Sequence, residues 1–312
     1  MNHGRLFRVG GVPEHFNLPW HLAIENNALA DENLKLQFID FAGGTGQILK
    51  ALEDREIEIA LVLTESCFAY QLNHPNVRMV KVYVNTPLIW GIHVAANSRL
   101  MNVDEIRGCR YAISRFGSGS HLMALVDHQM RNWPIEMLQL VEVGGLEAAR
   151  KSLARGESDV FLWERYTTSQ LVQANEFRRL GDRKAPWPAF VAAVHVDTIE
   201  SSESALKLIL ARIQQLADQW LQSHFDAADL IASRYQLELA QVKQWLQQTQ
   251  WSRDFEIPWK GLQAVWSIFQ QIGMDFLRSN PAGTDTSGCS TIAPSEIHFT
   301  RQFIRQSIWH QL

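Results

Sequence analysis

Short apolar runs alternate with helical segments along the first third of the chain. Runs such as IALVL within residues 57–63 have the length of strands, and the segments between them have the apolar spacing of helices. This alternation is typical of parallel βαβ units, which form one α/β layer. We predict strands at 6–12, 34–41, 57–63, 77–84 and 88–96, and helices near 19–30, 45–54 and 65–72.

The same alternation starts again near residue 110 and ends near residue 196. It predicts a second α/β layer, so the fold class is α/β with two lobes. We expect the chain to cross from the first layer at about residues 92–97 and to return at about residue 189. We predict strands at 110–114, 137–143, 159–163, 176–180 and 190–196, and helices at 118–131 and 145–154.

The last third of the chain shows helical patterns instead of strand patterns. Apolar residues from Leu206 to Leu221 recur at every third or fourth position, which is the spacing of one face of a long helix. Residues 279–295 are rich in Ser, Thr, Gly and Pro, and indicate a linker before the terminal segment 296–310. Further helices are predicted at 226–234, 238–248 and 259–277.

Length and composition fit a globular protein of two lobes. The chain has 312 residues, of which 46% are hydrophobic and 20% are charged, so it can bury sizeable cores. Lysine and arginine total 29 against 33 acidic residues, which gives a formal net charge of -4 and a pI near 6.3. Because binding to a phosphate backbone needs a basic excess, we expect no nucleic-acid partner.

The cysteine and histidine patterns argue against a disulfide framework and a metal site. Cys67, Cys109 and Cys289 are far apart and form no CxxC pair, and no HExxH pattern occurs. The glycine-rich turns lack the lysine of a phosphate loop and the spacing of a dinucleotide fingerprint, so we expect no metal and no cofactor. The sequence has no apolar leader or spanning stretch, so we expect a soluble cytoplasmic protein without a membrane partner.

Ligands of open parallel sheets bind beyond the carboxyl ends of the strands, so the turns at those ends are the candidate site. The turn 114–121 carries the strongest signal, since hydroxyl, guanidinium and imidazole groups precede a predicted helix. The first N–H groups of a helix are free to bind a carboxylate, sulfonate or phosphate. The candidate residues of this turn are Arg115, Ser118, Gly119, Ser120 and His121.

Other turns offer weaker signals, and helix capping or core packing explains them equally well. In the sequence GGTG, Gly44 lets the backbone approach a ligand, but Thr45 also fits a helix cap. Indole rings can stack on a planar ligand, but tryptophan is also a common core residue. The remaining candidates are Glu14, His15, Asn17 and Trp20 near the amino end, Thr64 and Glu65 after strand 57–63, Trp163 and Glu164 after strand 159–163, and Trp90 and Trp187 near the crossings.

Seven segments carry a resemblance to a known family. They are GVPEHFNLPW (11–20), AGGTGQ (42–47), LVLTES (61–66), PLIWGIHVAA (87–96), ISRFGSGSHLMA (113–124), FLWERYTT (161–168) and APWPAF (185–190). Together they resemble the type 2 periplasmic-binding-protein-like family. The resemblance is to a cytosolic branch related to the nitrate, sulfonate and thiamine-precursor binding proteins, similar to the Ca3427-like proteins of Candida. It covers about residues 5–195, and the chain departs from it at Ser66, where family members carry glycine.

The resemblance implies two lobes with a ligand cleft between them, and it implies no established ligand or reaction. The expected domains are residues 5–91 with 190–278 as one lobe, residues 92–189 as the other, and residues 279–312 as a linker and helical tail. The expected function is to bind a small organic anion, which a hinge motion of the lobes encloses. The ligand would be a sulfonate, a carboxylate, a phosphate or a pyrimidine-like compound, and no protein partner is indicated.

A cytosolic enzyme on the same fold is the alternative. The superfamily includes enzymes of the menaquinone pathway, so a lyase or synthase of the menaquinone- or thiamine-precursor type stays open. The yeast-type enzyme that makes the thiamine pyrimidine uses a CCCFC run, which this sequence lacks, so its chemistry does not carry over. Glu14, Glu65 or Glu164 would serve as a base only if burial raised its pKa toward neutrality.

Overall fold

Two five-stranded sheets organise the computed structural model, which describes residues 4–222, 224–253 and 259–272. The strands are β1 (Arg5–Gly11), β2 (Leu34–Asp40), β3 (Ile59–Leu63), β4 (Val77–Val84), β5 (Ile89–Ala95), β6 (Arg110–Ile113), β7 (Gln139–Glu142), β8 (Val160–Glu164), β9 (Phe177–Lys184) and β10 (Phe190–His195). The first sheet has the order β2-β1-β3-β10-β4, and the second has the order β7-β6-β8-β5-β9. We call the parts of the chain that carry them the first lobe and the second lobe.

Helices connect the strands and cover the faces of the sheets. The α-helices are α1 (Leu18–Glu25), α2 (Thr45–Glu53), α3 (Thr64–Gln71), α4 (Gly119–Met130), α5 (Leu146–Ala154), α6 (Ser169–Gln173), α7 (Val196–Gln222), α8 (His224–Tyr235), α9 (Leu239–Gln248) and α10 (Trp259–Ile272). Pro19 lies in the first turn of α1, where its missing N–H costs no helical hydrogen bond. The predicted α/β class with a helical C-terminal part is therefore present.

Burial follows the position of each strand in its sheet. All six residues of β10 are buried, because β3 and β4 flank it and helices cover the sheet. Strand β2 lies at the edge of the same sheet, and it has no fully buried residue. The apolar run of β10 and the mixed polar pattern of β2 therefore match a central strand and an edge strand.

Both sheets are mixed, whereas the alternation in the sequence predicted parallel units. Strand β1 runs parallel to β2 and β3, and β6 runs parallel to β7 and β8. Strand β10 is antiparallel to β3 and β4, and β5 is antiparallel to β8 and β9. Strands β5 and β10 each enter their sheet directly from a strand of the other sheet, and not through the crossover helix that joins parallel neighbours.

The two connections between the sheets lie at residues 85–88 and 185–189. The first connection comes earlier than the predicted crossing at 92–97, because the pairing of β5 with β8 and β9 places it in the second sheet. The expected limit between residues 91 and 92 therefore cuts through β5 and is wrong. The return near residue 189 agrees with the second connection.

Several predicted elements differ from the observed ones in length. Helix α7 begins at Val196, before the helical pattern that starts at Leu206, and the backbone at Ser202 is not helical, which divides the helix there. Strand β9 continues to Lys184 beyond the predicted end at 180, and α6 was not predicted. The predicted lobe end at 278 and the tail 279–312 lie outside the described residues.

The main hydrophobic core extends through both lobes, and a smaller cluster lies under α5. The smaller cluster contains Ala149 and Leu153 from α5, and it packs against Phe161 and Phe177 of the second sheet. Over the described ranges, no helix combines the length and apolar character needed to cross a membrane.

Candidate functional site

A cleft with about 520 Å³ of empty space lies between the two lobes. It opens beyond the carboxyl ends of β1, β3, β6 and β8, where ligands of open α/β sheets bind. The first lobe contributes Val12, Glu14, Gly43, Gly44, Thr45, Leu63 and Phe190, the second lobe contributes Trp90, Ser114, Arg115, Ser118, Gly119, Ser120, Trp163 and Glu164, and Leu88 belongs to the first connection. We call these two sets the first wall and the second wall.

Arg115 joins the two walls of the cleft. Its Nη1 donates a hydrogen bond of 2.9 Å to the backbone oxygen of Gly43 in the first lobe. A Cβ atom at Gly46 would clash with the same guanidinium, so the glycine permits this close approach. Burial lowers the pKa of Arg115, and Glu142 opposes that shift. The side chain therefore places a positive charge at the contact between the lobes.

The hydroxyl groups of the turn 114–121 bind each other and the nearby backbone. Ser118 caps α4, because its Oγ accepts from the N–H of His121 at 3.4 Å and donates to the backbone oxygen of Arg115 at 2.6 Å. Ser120 Oγ accepts from the N–H of Ser114 at 2.9 Å and lies 3.1 Å from Ser118 Oγ. The turn is therefore held in shape by the side chains that the sequence predicted as ligand donors.

His121 is buried behind this turn and does not line the cleft. Its Nδ1 accepts from the N–H of Gly117 at 3.0 Å, which leaves the proton on Nε2. Burial lowers the pKa of His121 to about 4, so the ring is neutral near pH 7. The ring contacts Phe116 edge-on, with the two centroids 5.2 Å apart.

The start of α2 on the first wall has no side-chain cap. Gly44 precedes the helix with a φ of 73°, which favours glycine, and nothing lies within 4 Å of the position of its missing Cβ. The hydroxyl of Thr45 accepts from the N–H of Leu63 at 3.2 Å and so links the helix to the end of β3. The first N–H groups of α2 therefore remain available at the cleft.

Two carboxyl groups line the cleft, Glu14 from the first wall and Glu164 from the second. Glu164 ends β8 and is 3% exposed; its Oε2 accepts from the N–H and the hydroxyl of Thr167 at 2.6 and 2.8 Å. Its Oε1 has no hydrogen-bond partner among the described residues. Burial and the negative charge of Glu164 raise the pKa of Glu14 to about 8, and burial raises the pKa of Glu164 as well.

Two indole rings belong to the second wall. Trp90 lies directly opposite Glu164 in the β5–β8 ladder and is 3% exposed. Its Nε1 has no hydrogen-bond partner among the described residues. Trp163 stacks on Phe161 with the ring centroids 5.1 Å apart, and it also lines the cleft. The rings supply an apolar surface beside the two carboxyl groups.

Ten of the predicted site residues therefore meet in one cleft, and seven lie outside its lining. The seven are His15, Asn17, Trp20, Thr64, Glu65, His121 and Trp187.

Three of these outlying residues come from the segment that follows β1. His15 lines a separate narrow gap with Trp245, and burial lowers the pKa of His15 to about 3. Asn17 donates from Nδ2 to the backbone oxygen of Val12 at 2.8 Å, which holds the turn that carries Glu14. Trp20 is fully buried in the core.

Three more outlying residues lie at the second connection between the sheets. The indole Nε1 of Trp187 donates to Oε2 of Glu65 at 2.7 Å, and the N–H of Thr64 donates to the backbone oxygen of Ala189 at 3.2 Å. Burial raises the pKa of Glu65 to about 7, and the hydrogen bond from Trp187 opposes that shift. Ser66, the departure from the family pattern, is buried beside them and does not line the cleft.

Six residues of the cleft were not predicted from the sequence. Five of them are apolar or glycine, so nothing in their chemistry marked them, and two of the five, Leu88 and Phe190, lie at the amino ends of strands, where the carboxyl-end rule does not apply. They are Val12, Gly43, Leu63, Leu88, Ser114 and Phe190. Among the described residues, no group of three or more His, Cys, Asp and Glu side chains is arranged to hold a metal ion.

Comparisons with known proteins agree with this architecture. Residues 90–183 match the model of the Ca3427-like periplasmic binding proteins, which confirms the predicted resemblance over that segment. The structure of the Candida albicans CA3427 gene product, described as having the generic periplasmic binding protein fold, is 21% identical. It has a TM-score of 0.80, with 88% of this chain and 93% of that chain covered. The predicted two-lobed fold is therefore confirmed.

Two structures with bound ligands are similar at lower identity. The alkanesulfonate-binding protein SsuA from Xanthomonas axonopodis pv. citri, bound to MOPS, is 16% identical with a TM-score of 0.72, over 86% of this chain and 93% of that chain. PhnD1 from Prochlorococcus marinus, in complex with methylphosphonate, is 10% identical with a TM-score of 0.57, over 86% and 98%. No curated protein matches the sequence.

Proposed function

We propose that this protein binds a small organic anion in the cleft between its lobes. The observation that carries the proposal is the cleft of about 520 Å³, to which both lobes contribute polar groups at the carboxyl ends of their strands. A mostly apolar lining with a few converging polar groups is typical of small-molecule sites.

The charge distribution in the cleft supports an anionic group on the ligand. Helices α2 and α4 both begin at the cleft, and the N-terminal end of a helix carries about half a positive charge. The guanidinium of Arg115 lies between these two helix ends, and only its Nη1 is used in the bond to Gly43. A sulfonate, phosphonate or carboxylate placed there would accept hydrogen bonds from backbone N–H groups and from Arg115.

The two similar structures with bound ligands support the same class of compound. MOPS, which is bound to the Xanthomonas protein, is a sulfonate, and the ligand of the Prochlorococcus protein is a phosphonate. Both ligands carry a compact oxyacid group. The fold is shared with this chain, and the transfer of the ligand class to this chain is our inference.

Hinge closure around the ligand is part of the proposal. Short connections at 85–88 and 185–189 join the two sheets, and such paired connections permit one lobe to rotate against the other. Arg115 makes a direct hydrogen bond between the walls, so the conformation described here has the lobes in contact. A ligand that touches both walls would stabilise this contact.

A binding screen combined with solution scattering tests the proposal. We expect native mass spectrometry to detect a bound metabolite, and we expect MOPS, ethanesulfonate or methylphosphonate to raise the melting temperature. A ligand at 100 times its Kd adds about 2.7 kcal/mol to stability. The radius of gyration should fall on binding. A protein that carries no metabolite and is stabilised by none of a wide panel of organic acids would contradict the binding function.

An enzyme that acts on such a ligand is the second candidate, and one observation favours it. The pKa of Glu14 is raised to about 8, so this carboxyl can take up and release a proton near neutral pH. If the protein is an enzyme, the ligand identified by mass spectrometry should change during incubation with the protein, which NMR of the mixture would detect. An unchanged ligand over many hours supports binding alone.

A cytoplasmic location also belongs to the proposal. Cys67 and Cys109 are free thiols, which fits a reducing compartment. Cell fractionation with an antibody to the protein checks this, and recovery from the periplasm or a membrane would contradict it.

A further inference from the structure

The polar groups left without a partner in the cleft include acceptors as well as donors. Oε1 of Glu164 is buried and has no hydrogen-bond partner among the described residues. The carboxyl of Glu14 lines the same cleft, and it takes part in no hydrogen bond or ion pair within the described part of the chain. Since a buried carboxylate oxygen without a partner is costly, Oε1 of Glu164 needs a donor that the described part of the chain does not supply, and the partly exposed carboxyl of Glu14 is open to the same cleft.

Neither Arg165 nor Arg115 forms an ion pair with the two carboxyl groups. Arg165, which follows Glu164, forms an ion pair with Asp182 at 2.9 Å. Arg115 lies on the same cleft, and its Nη1 donates to the backbone oxygen of Gly43. No ion pair of Glu14 or Glu164 occurs within the described ranges. The pair of carboxyl groups therefore differs from the ion pairs on the surface of the protein, in which an arginine or lysine neutralises each acid.

The aromatic side chains beside the carboxyl groups also favour a cation. Trp90 pairs with Glu164 across the β5–β8 ladder, and Trp163 is the residue that precedes Glu164. Both indoles line the cleft. Indole faces attract ammonium and guanidinium groups, and the attraction is larger when the cation is removed from water. Buried Trp90 Nε1 has no partner either, and it would donate to an acceptor on the same ligand.

We propose that Glu14 and Glu164 bind a protonated nitrogen of the ligand, while Arg115 and the starts of α2 and α4 bind its acidic group. The ligand class is thus a zwitterion such as an aminoalkyl sulfonate, phosphonate or carboxylate. This inference rests on the proposed function and specifies the ligand further. The two carboxyl groups come from different lobes, so a cation between them would also hold the lobes together.

The raised pKa of Glu14 agrees with this assignment. The pKa of Glu14 is raised to about 8, which means that Glu14 is mostly protonated at pH 7, and burial raises the pKa of Glu164 as well. The charge of Glu164 acts on Glu14, Arg165 acts on Glu164, and Tyr235 interacts with Glu14. When an ammonium group binds beside Glu14, its positive charge favours the ionised carboxylate. Glu14 should therefore release roughly one proton on binding.

Matched pairs of compounds test the inference by calorimetry. The pairs are taurine with ethanesulfonate, 2-aminoethylphosphonate with ethylphosphonate, and β-alanine with propionate. Each pair shares its acidic group and differs in one amine. We expect the amine-bearing member of at least one pair to bind tenfold or more tightly than its partner. Repeating the titration at pH 7 in two buffers of different ionisation enthalpy should show the release of roughly one proton.

Two variants assign this preference to the carboxyl groups. Glu14→Gln and Glu164→Gln keep the shape of the side chain and remove its charge, and each should reduce the preference for the amine at least fivefold. Glu157→Gln is the matched control, because Glu157 is exposed in the loop after α5 and does not line the cleft. Glu14→Gln should also abolish the proton release, which a purely structural role of Glu14 would leave unchanged.

The outcomes separate this inference from the proposed function. If the amine-free compounds bind as tightly as their amine-bearing partners, the cation site is wrong and anion binding stands. If neither member of any pair binds, the inference is overturned, and the mass-spectrometry screen decides the proposed function. If amine preference is present and survives in both Gln variants, the nitrogen binds elsewhere and the assignment to Glu14 and Glu164 is wrong.

Discussion

The two walls of the cleft differ in how many of their polar groups are hydrogen-bonded within their own wall. On the second wall, Ser118 and Ser120 bind the backbone of their own turn, and Glu164 is held by Thr167. On the first wall, Gly44 leaves the start of α2 without a side-chain cap, and the carboxyl of Glu14 has no hydrogen bond within the described residues. The second wall is therefore held in a fixed arrangement, whereas the first wall keeps groups that need a partner from outside.

This difference shows that a high density of polar side chains does not mean a high density of free donors. The turn 114–121 has more hydroxyl groups than the turn at residues 43–46, yet its hydroxyls are used to fix the turn. The glycine-rich turn has fewer polar side chains, and no side chain caps the start of α2 that follows it. The side chain of Arg115 is the direct link between the two turns, through the oxygen of Gly43.

The largest effect is expected from a side chain placed where the walls touch. A Cβ at Gly119 would clash with Leu63 of the first wall and would lie 2.8 Å from the ring of Trp90. Gly119→Ala should therefore keep the lobes apart and weaken ligand binding at least tenfold, which corresponds to about 1.4 kcal/mol. Calorimetry with the ligand and small-angle scattering measure the two effects.

A second glycine of the same lobe provides the control for this substitution. Gly145 precedes α5, and a Cβ there would meet nothing closer than the backbone oxygen of Ala42 at 3.9 Å. Gly145→Ala should leave the affinity and the scattering profile unchanged. Equal behaviour of the two alanine variants would mean that the walls do not need this close approach for binding.

A smaller effect is expected from breaking the link between the two turns. Arg115→Met keeps much of the apolar stem and removes the donor to Gly43, so the ligand-free protein should become more open and bind its ligand about five- to tenfold more weakly. Gly46→Ala keeps Arg115 but displaces its side chain, because the Cβ of the new alanine would clash with the guanidinium. Scattering of the ligand-free proteins checks both, and an unchanged radius of gyration in both would show that Arg115 does not hold the walls together.

The sequence predicted the architecture well because the apolar runs and the motifs were long and regular. The central strand β10 is a continuous apolar run, and its burial follows from that pattern. The limit between the lobes was misplaced because β5 continues an apolar pattern that began in β4, and sequence periodicity does not reveal which sheet a strand joins. Strand pairing over residues far apart in the chain decides that question.

The site was predicted in part, because the sequence locates strand ends but does not show which groups the two lobes bring together. Residues after strand ends, such as Thr45 and Glu164, were found because the carboxyl-end rule gives their place. Glu65 also follows a strand, but the start of α3 turns it toward the second connection, where Trp187 binds it. Apolar Leu63 and Phe190 line the cleft through the approach of the lobes, which no local pattern encodes.

The pH dependence of stability separates the unpaired carboxyl of the first wall from the rest. The pKa of Glu14 rises from its usual 4.5 to about 8 on folding, so the folded state binds the proton more tightly. Its contribution to stability is fully present below about pH 4.5 and is lost as the pH rises through 8. The melting temperature should therefore fall between pH 5 and pH 8.5, and Glu14→Gln should reduce that fall.

Glu65→Gln provides the comparison for this measurement, since Glu65 lies outside both walls and burial raises its pKa to about 7. It should reduce the fall mainly below pH 7, whereas Glu14→Gln should act up to about pH 8. Identical pH profiles of the wild type and Glu14→Gln would show that Glu14 is ionised in the folded protein, and the proton release inferred for ligand binding would then be wrong.

The smallest effects are expected from the hydroxyl groups that fix the walls, and they should appear in stability before they appear in affinity. Ser118→Ala removes the cap of α4, and Thr45→Val removes the acceptor for the N–H of Leu63. Each loss should destabilise folding by about 1 kcal/mol, which lowers the melting temperature of a chain of this size by roughly 2 °C. Affinity should change less than threefold, because neither hydroxyl is free for the ligand. Chemical denaturation and calorimetry on both variants decide this, and a tenfold loss of affinity in Ser118→Ala with normal stability would show that its hydroxyl turns from the helix cap to the ligand on binding.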